Sequence, residues 1–324
     1  MRIAIVTTSY PSSAGDPSGH FVAAEADVLA ARGNRVTVLA PGRRGARLES
    51  NPTVVRVADG QAFGWPGALA RLRHRPHRLL GAMDFVRAAR RELALLGPFD
   101  RVIAHFIVPC AWPIAVASDA PLEVVAHGSD VRLLLALPRK LCTALIRGLL
   151  RRGACFRFVS AELRHALAER SGLPELTGAR VLASPIDLGE VLPHRSARSL
   201  IRAWPGERLI VVISRLIEQK RVDVALSAAL LVPNARIVVI GDGPERARLE
   251  RLFDGVRFTG RLPRPDALCW LSAADLLLCA SRREGAPTVV REARALGVPV
   301  VAVPAGDLAA WAALDPGITL VSPH

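Results

Sequence analysis

The opening residues restrict the fold most tightly, because they read as a strand, a helix and a second strand in succession. Arg2–Val6 is a short apolar run, and residues 7–19 are rich in Gly, Pro and Ser. Apolar residues then recur at helical spacing over residues 22–30, and Gly33 follows as a residue that commonly ends a helix. Residues 35–40 alternate as in a half-buried strand. This order predicts a βαβ unit and therefore an α/β fold on a parallel sheet.

Two series of such units predict two Rossmann-like domains. The strand candidates of the first series are Arg2–Val6, Arg35–Ala40, Val54–Val57, Arg101–Ala104, Leu122–Ala126, Cys155–Val159 and Arg180–Ala183. Those of the second series are Leu209–Ile213, Arg236–Ile240, Val256–Thr259, Leu276–Cys279, Val300–Val303 and Ile318–Val321. Between residues 184 and 208 prolines cluster with arginines, which is typical of a linker. We predict domains at residues 1–190 and 191–324 that face each other across a cleft, with ligands at the carboxyl ends of the strands.

Composition excludes several classes of protein. Hydrophobic residues make up 51% of the 324 residues, enough for a large buried core. The N-terminus shows no export signal, and no apolar stretch reaches the length of a membrane span, which predicts a cytoplasmic protein. The five cysteines form no CxxC pair and have no histidine at metal-ligand spacing, so neither a metal site nor a disulfide framework is expected.

The chain is strongly basic, with a formal net charge of +14. Two explanations stay open, namely the arginine bias of a GC-rich genome and attraction to an anionic surface. Binding to nucleic acid is a third interpretation, but the single tyrosine and the lack of aromatic residues among the basic ones argue against it. Lysine occurs only at Lys140 and Lys220, so a compact ammonium stands at Lys220 where the chain otherwise uses guanidinium.

Two glutamates in the second half, Glu284 and Glu292, flank a Gly285-Ala286-Pro287 turn. Pro287 is a good first residue for a helix, which places Glu284 in the preceding loop and Glu292 in the second helical turn. Backbone N–H groups at such a helix start favour phosphate groups or sugar hydroxyls. Ordinary solvated charges around a helix start are the alternative interpretation of the same spacing.

Two cations, Arg215 and Lys220, follow the predicted strand 209–213. Together they can clamp a diphosphate, because arginine offers a planar fork and lysine a point charge. Both would offset the negative charge that grows on a departing phosphate group, which is the task of a divalent metal ion at other sites. Surface charge near a strand end is the alternative.

These segments resemble the retaining glycosyltransferases of family 4, which have the GT-B fold. Ser281–Val301 is similar to the family's paired-glutamate signature, and Ser214–Asp223 to its Arg-Leu-xxx-Lys-Gly segment. The resemblance implies a hexosyltransferase-type enzyme that moves a sugar from a nucleotide-diphosphate sugar to an acceptor hydroxyl, with no metal or other cofactor. It implies that Glu284 lies against the donor sugar and that Glu292 binds the ribose. The first domain would then be on the acceptor side and the second would bind the nucleotide sugar.

Other residues take roles from the same resemblance. His127, at the end of a predicted strand and followed by Gly-Ser-Asp, is expected to contact the donor sugar and to form the catalytic set with Glu284. The remaining donor-binding candidates are Arg215, Lys220, Gly285, Ala286, Pro287, Gly19 and Arg261. The acceptor-side candidates are His20, His105 and Asp130, and for His105, which ends a predicted strand, a structural role is an equal alternative.

Two basic stretches, Arg71–Arg91 and Arg132–Arg152, carry apolar residues at near-helical spacing. Cationic amphipathic helices of this kind can lie on anionic lipid, which would suit a carbohydrate acceptor that is linked to lipid or belongs to a cell-envelope precursor. The protein would then be peripheral on the inner face of the membrane. A helix packed on the sheet with a charged outer face is the alternative for each stretch.

Several features depart from the family pattern. The family's glycine after the lysine is Arg221 here, and the sequence stops at His324, where family members continue into helices that pack on the first domain. The loop 15–20 is no GxGxxG fingerprint, so a nicotinamide cofactor is disfavoured. A nucleotide-sugar epimerase of the same fold and a non-catalytic, transferase-like binding protein remain as alternatives.

Overall fold

The computed structural model describes residues 1–13, 15–43, 47–48, 50–58, 62–63, 76–201 and 208–322. The chain divides into two compact units, Met1–Pro185 and Ile186–His324. This division falls five residues before the boundary that we placed after residue 190. Each unit is a largely parallel sheet with helices between most successive strands, which confirms the predicted α/β class.

The first unit contains a sheet in the order β3-β4-β2-β1-β5-β6-β7-β8. Its strands are β1 (Arg2–Val6), β2 (Arg35–Ala40), β3 (Arg47–Leu48), β4 (Thr53–Arg56), β5 (Arg101–His105), β6 (Leu122–Ala126), β7 (Cys155–Phe158) and β8 (Arg180–Val181). Its α-helices are α1 (His20–Ala31), α2 (Leu79–Leu96), α3 (Gly128–Ala136), α4 (Arg139–Arg151) and α5 (Ala161–Ser171). The short edge strand β3 runs antiparallel to β4, and the other pairs are parallel.

Local signals explain where the helices of the first unit begin and end. Gly33, with φ at +80°, follows the last turn of α1, and Gly172, with φ at +67°, follows α5. Glycine takes this left-handed conformation at little cost, so it stops a helix cleanly. The hydroxyl of Ser160 accepts the N–H of Leu163 and caps the start of α5.

The second unit contains a sheet in the order β11-β10-β9-β12-β13-β14, and all of its pairs are parallel. Its strands are β9 (Arg208–Ile213), β10 (Ala235–Ile240), β11 (Arg257–Gly260), β12 (Leu276–Cys279), β13 (Val300–Ala302) and β14 (Ile318–Leu320). Its α-helices are α6 (His194–Leu200), α7 (Val222–Ala229), α8 (Arg246–Leu252), α9 (Arg264–Ser272), α10 (Thr288–Ala295) and α11 (Leu308–Ala312). Taken in chain order, this is the 3-2-1-4-5-6 arrangement of doubly wound sheets.

Both faces of the second sheet are covered by apolar side chains. Alternate residues of β9 belong to two separate hydrophobic clusters, with Leu209 and Val211 on one face and Ile210 and Val212 on the other. A strand buried on both faces reads as a continuous apolar run, which is why β9 was easy to find in the sequence.

The structure corrects two of our sequence interpretations. The predicted linker contains the helix α6, whose Ala197 is fully buried in the core of the second unit. The predicted basic helix from Arg132 to Arg152 is two helices, because Pro138 has an extended conformation and separates α3 from α4. Proline lacks the N–H that a continuous helix would need at that position. Residues 71–75 of the other basic stretch lie outside the described residues.

No helix in the described part of the chain is long and apolar enough to cross a membrane.

Candidate active site

The loops that follow β9 and β12 meet at the point where the strand order of the second sheet reverses. These two strands are neighbours in the sheet, but each connects through a helix to a strand on its other side. At such a switch point the loops diverge and leave a crevice at the carboxyl edge. The residues 214–221 and 280–287, which carry most of the predicted donor-binding side chains, form these two loops.

Lys220 and Glu284 meet across this switch point. The Nζ atom of Lys220 lies 2.5 Å from Oε1 of Glu284, and both side chains are largely buried. The backbone reinforces this contact, because the N–H of Arg282 donates to the carbonyl of Gln219 over 3.0 Å. The structure therefore brings together one cation and one carboxylate that the sequence had assigned to the same ligand. The side chain of Arg215 lies in the same loop as Lys220 and is partly exposed.

Two glycines allow the loop after β10 to approach the Lys220 loop at backbone distance. A Cβ atom on Gly241 would lie 1.8 Å from the carbonyl oxygen of Ser214, and one on Gly243 would lie 2.3 Å from that of Leu216. Hydrogen bonds join the same segments, with the N–H of Leu216 donating to Asp242 over 2.8 Å. The turn at residues 241–243 thus packs against the loop that carries Arg215 and Lys220.

Arg221 has a left-handed backbone conformation, with φ and ψ both at 47°. This is the conformation that the family's glycine would favour, so the turn after Lys220 is kept although the glycine is not. A non-glycine residue costs roughly 1–2 kcal/mol in this region. The turn then leads directly into α7, which begins at Val222.

Glu292 lies on α10 and is 6% exposed, which is low for a carboxylate. Its Oε1 atom accepts a hydrogen bond of 2.6 Å from Nη1 of Arg264, at the start of α9. The same guanidinium also donates to the carbonyl oxygen of Asp187. Sequence reasoning missed Arg264, because an arginine after a proline at a helix start is common at protein surfaces. Arg264 differs from such surface arginines because its partner, Glu292, is buried.

The segment before α10 has the predicted form with a shift of one residue. Pro287 is the residue that precedes the helix, and Thr288 is its first residue. Gly285 and Ala286 are partly exposed in the loop, and a Cβ atom on Gly306 would lie 2.7 Å from the carbonyl oxygen of Gly285. Arg261, the other donor-binding candidate of this unit, is exposed just after β11.

In the first unit His127 follows β6 and lies between aromatic rings. Its ring centroid is 4.6 Å from that of Phe106 and 5.1 Å from that of Phe21. The residue is 9% exposed, and burial, with Arg157 as a second cause, lowers the pKa of His127 to about 3. The ring is therefore neutral at physiological pH and acts through hydrogen bonds rather than through a positive charge.

His105 is fully buried behind His127. Its Nδ1 atom lies 3.1 Å from Nε2 of His127, and the two rings are stacked. Burial, His127 and Arg157 all lower the pKa of His105 well below the usual value, so this ring is neutral as well. The prediction that His105 contacts the acceptor stays a prediction, and the contact that the structure gives it is with His127.

A stripe of charged side chains continues from His105 along the same face of the sheet. We call this set, Arg101, Glu123, Arg157 and Glu25, the buried ion network. Glu25 comes from α1 and the other three from β5, β6 and β7. Arg157 is 4% exposed, and its guanidinium donates to both glutamates. Sequence reasoning missed the network, although charges inside apolar parallel strands and on the apolar side of α1 were the available signal.

The remaining candidates of the first unit serve local structure. Gly19 has φ at +67°, and a Cβ atom there would lie 2.2 Å from the carbonyl oxygen of Ser9. Nδ1 of His20 lies 2.8 Å from the carbonyl oxygen of Pro17. Their predicted contacts with donor and acceptor stay predictions.

Asp130 is buried and fixes the loops around His127. Its two oxygens accept the backbone N–H groups of Ile107, over 2.7 Å, and of His127, over 2.9 Å. Burial raises the pKa of Asp130 to about 7, although these hydrogen bonds lower it. The carboxyl group of Asp130 therefore fixes the backbone at Ile107 and His127. Its predicted contact with the acceptor stays a prediction.

Comparison with models of protein families shows which family this chain belongs to. Residues 18–190 match the model described as Glycosyltransferase Family 4, and residues 207–323 match the model described as Glycosyl transferases group 1. The chain belongs to glycosyltransferase family 4. It is thus a glycosyltransferase, as the resemblance of its motifs had implied.

Individual members of the family align along nearly the whole chain. The putative teichuronic acid biosynthesis glycosyltransferase TuaC of Bacillus subtilis is 28% identical over 332 residues, which span 95% of this chain and 82% of TuaC. Among solved structures, sucrose-phosphate synthase from Thermosynechococcus elongatus has a TM-score of 0.76 at 19% identity, over 100% of this chain and 86% of that one. Anabaena HepE in complex with UDP-glucose has a TM-score of 0.67 at 17% identity, over 100% and 86%. These likenesses confirm the two-domain GT-B fold.

Proposed function

We propose that this glycosyltransferase moves a sugar from a nucleotide-diphosphate sugar to an acceptor hydroxyl and retains the anomeric configuration. The observation that carries the proposal is the meeting of Lys220 and Glu284 at the switch point of the second sheet. Doubly wound sheets bind ligands at this switch point, which supports a diphosphate beside the lysine and, as the family resemblance implies, the attached sugar beside the glutamate.

The chemistry requires positive charge at the leaving group. As the bond from the sugar to the diphosphate breaks, negative charge grows on the phosphate oxygens. Arg215 and Lys220 would neutralise it from one loop, with no divalent ion, while Glu292 binds the ribose hydroxyls. Glu284 would orient the sugar, and His127 would contact it as a neutral ring. Retention and the lack of a metal requirement rest on the family resemblance.

Similar proteins support the choice of substrates. A solved structure of HepE contains UDP-glucose, which favours a nucleotide sugar as donor for this chain too. TuaC is named for the biosynthesis of teichuronic acid, which favours a carbohydrate or lipid-linked precursor of a cell-envelope polymer as acceptor.

Removal of Lys220 tests the proposal. Lys220→Ala should lower donor turnover about 100- to 1,000-fold, the usual effect of losing one group that stabilises transition-state charge. Arg251→Ala is the matched control, because Arg251 is an exposed cation on α8 of the same unit. Turnover is measured as nucleotide release from a panel of UDP-, GDP- and ADP-sugars, with and without EDTA. Wild-type turnover in Lys220→Ala would refute the diphosphate clamp, and release of an altered free sugar would identify the epimerase alternative.

We also propose that the first unit docks on anionic lipid through α4. The helix has no acidic residue, and Lys140, Arg147 and Arg151 are exposed on it beside Leu141, which is 58% exposed. Cations around an exposed leucine suit the interface of an anionic bilayer, where each basic residue contributes about 1 kcal/mol.

Sedimentation with phosphatidylglycerol or phosphatidylcholine vesicles tests the docking. The wild type should sediment with the anionic vesicles only, and changing Lys140, Arg147 and Arg151 of α4 together to Gln should abolish this. The control neutralises three exposed arginines of the second unit, Arg195, Arg208 and Arg251. Equal loss of binding in the control would show that net charge acts, and equal partition of the wild type to both vesicles would end the proposal.

A further inference from the structure

We propose that Glu25 and His105 are positioning residues that hold His127 in one tautomer, with hydrogen on Nε2 and none on Nδ1. The purpose of this arrangement rests on the proposed function, in which His127 contacts the donor sugar. The arrangement itself rests only on the geometry of the first unit.

His105 lies between a carboxylate and His127, with one ring nitrogen directed at each. Its Nδ1 atom is 3.1 Å from Nε2 of His127, and its Nε2 atom is 3.8 Å from Oε2 of Glu25. Within the described part of the chain, neither that Nε2 nor that Oε2 has a hydrogen-bond partner, although both atoms are buried. Leaving two buried polar atoms without a hydrogen bond is costly. A shift of about 1 Å that brings them within hydrogen-bonding distance is therefore favoured.

The charge of Glu25 decides the direction of the hydrogen bonds. Its other oxygen, Oε1, accepts from the guanidinium of Arg157, and such a pair is strongest when the carboxyl group is ionised. Burial raises the pKa of Glu25 while Arg157 opposes the shift. A carboxylate only accepts hydrogen bonds, so the nitrogen of His105 that faces it must carry the hydrogen.

The tautomer of His127 then follows. A neutral imidazole carries a single hydrogen, so His105 with hydrogen on Nε2 presents a bare Nδ1 to His127. His127 must donate to that atom from its own Nε2, which leaves its Nδ1 bare. The tautomer of one ring is thus set by the bond that the other ring makes, as second-shell groups commonly set it.

The defined tautomer also fits the start of α3. A bare Nδ1 is an acceptor, and the His127 side chain accepts the backbone N–H of Asp130 there, whereas the opposite tautomer would turn an N–H against that donor. The titratable and charged groups that face the pair are Glu25 on α1, Glu123 on β6, Arg157 on β7, Arg101 on β5 and Asp130 on α3. The buried ion network anchors the carboxylate at the far end of the relay.

Nitrogen NMR of the wild-type protein tests the tautomer without any substrate. In protein labelled with ¹⁵N-histidine at pH 7, the shifts of a bare and a hydrogen-bearing ring nitrogen are well separated. We expect both rings with hydrogen on Nε2, and His127→Gln and His105→Gln assign the signals by their loss. A hydrogen on Nδ1 of His127, or a charged ring at pH 7, would overturn the inference.

The matched variants Glu25→Gln and Glu123→Gln then separate positioning from stability. Each removes one carboxylate from Arg157, but the carboxylate that lies 3.8 Å from Nε2 of His105 is that of Glu25. Glu25→Gln should give mixed tautomers of His127 and lower kcat about 10- to 100-fold, with the KM for the donor little changed. Glu123→Gln should leave both tautomers as in the wild type.

The outcomes distinguish this inference from the proposed function. An unchanged tautomer in Glu25→Gln refutes the relay even if turnover falls, because the fall would then reflect stability. A wild-type protein that turns over no nucleotide sugar refutes the proposed function, while the tautomer measurement still decides whether the relay exists.

Discussion

The two units keep their polar groups in opposite places. In the first unit a stripe of charged side chains lies on one face of the sheet, where buried Arg157 pairs with Glu25 of α1. In the second unit both faces of the sheet are apolar, and the charged candidates stand in loops beyond the strands. The candidate groups of the first unit are therefore positioned by side chains inside the core. Those of the second unit are positioned by loop backbone at the carboxyl edge of the sheet.

This difference predicts different sensitivities. A buried ion network is damaged when one partner is removed, because the remaining charge stays buried and uncompensated. Loops that rest on each other at backbone distance are damaged instead when a glycine gains a side chain. It also predicts that pH acts mainly on the first unit, because the buried histidines lie there.

The largest expected effect concerns the backbone contacts of the second unit. Gly241→Ala should lower the free energy of unfolding by about 3–5 kcal/mol, because the new methyl group meets the carbonyl of Ser214 and φ is +139°. Gly255→Ala is the control, with φ at +78° and open space around it, and should cost about 1–2 kcal/mol. Urea titrations measure both. Equal losses would show that the loop contact contributes nothing.

Acid should weaken the first unit through His127. The unfolded chain titrates near 6.5 but the folded ring near 3, so below pH 6.5 only the unfolded chain takes up the proton. The free energy of unfolding should then decline by about 1.4 kcal/mol for each pH unit between those values. Asp130 acts in the opposite direction, because its raised pKa favours the folded state as pH falls from about 7.

Comparison with His127→Gln isolates this contribution, since Asp130 is present in both proteins. From pH 6.5 to 4.5 the wild type should lose about 2–3 kcal/mol more than the variant in urea titrations. His105 stays in both proteins and keeps part of the acid sensitivity. Parallel losses in the two proteins would show that His127 is not buried as a neutral ring.

An intermediate effect is expected at the buried ion pair of the second unit. Arg264→Gln should weaken UDP binding by about tenfold, because Glu292 loses the partner that orients its carboxylate toward a ribose. Arg198→Gln is the control, because its partner Asp275 is exposed and precedes β12 at the opposite edge of the sheet. Calorimetry with UDP measures both variants. Unchanged affinity in Arg264→Gln would show either that Glu292 does not bind the nucleotide or that Arg264 does not orient Glu292.

The smallest expected effect is a gain in stability. Arg221→Gly should raise the free energy of unfolding by about 0.5–1 kcal/mol, because glycine takes the left-handed conformation without strain. The turnover of nucleotide sugar should not change, since the turn already has the form that glycine favours. Thermal unfolding measures the gain, and a loss of stability would mean that the arginine side chain supports the turn.

The strands were largely predictable from the sequence. Buried parallel strands such as β9 and β12 are continuous apolar runs between turn residues, and that signal is local. The spacing of Glu284 and Glu292 and the rarity of lysine are also visible in the sequence, and the structure brings Lys220 and Glu284 together, while their roles stay predictions.

What the sequence did not disclose depends on tertiary contacts. Glu25 and Arg157 are 132 positions apart and meet only when α1 lies over β7. The helix α6 was not predicted, because prolines and arginines cluster around it. Its buried Ala197 shows that it packs on a core. The break at Pro138 was in principle readable, because proline interrupts helices at interior positions.

The ion pair of Lys220 with Glu284 has a kinetic and thermodynamic consequence of its own. A lysine side chain carries about 2 kcal/mol of rotational entropy, which a ligand must overcome when it immobilises a freely moving ammonium. Here the neighbouring carboxylate has already ordered that side chain during folding. Because an ammonium has three hydrogens, it can keep its hydrogen bond to the glutamate and donate to an anion as well. A nucleotide diphosphate that binds here, as we propose, would therefore meet a cation that is already ordered.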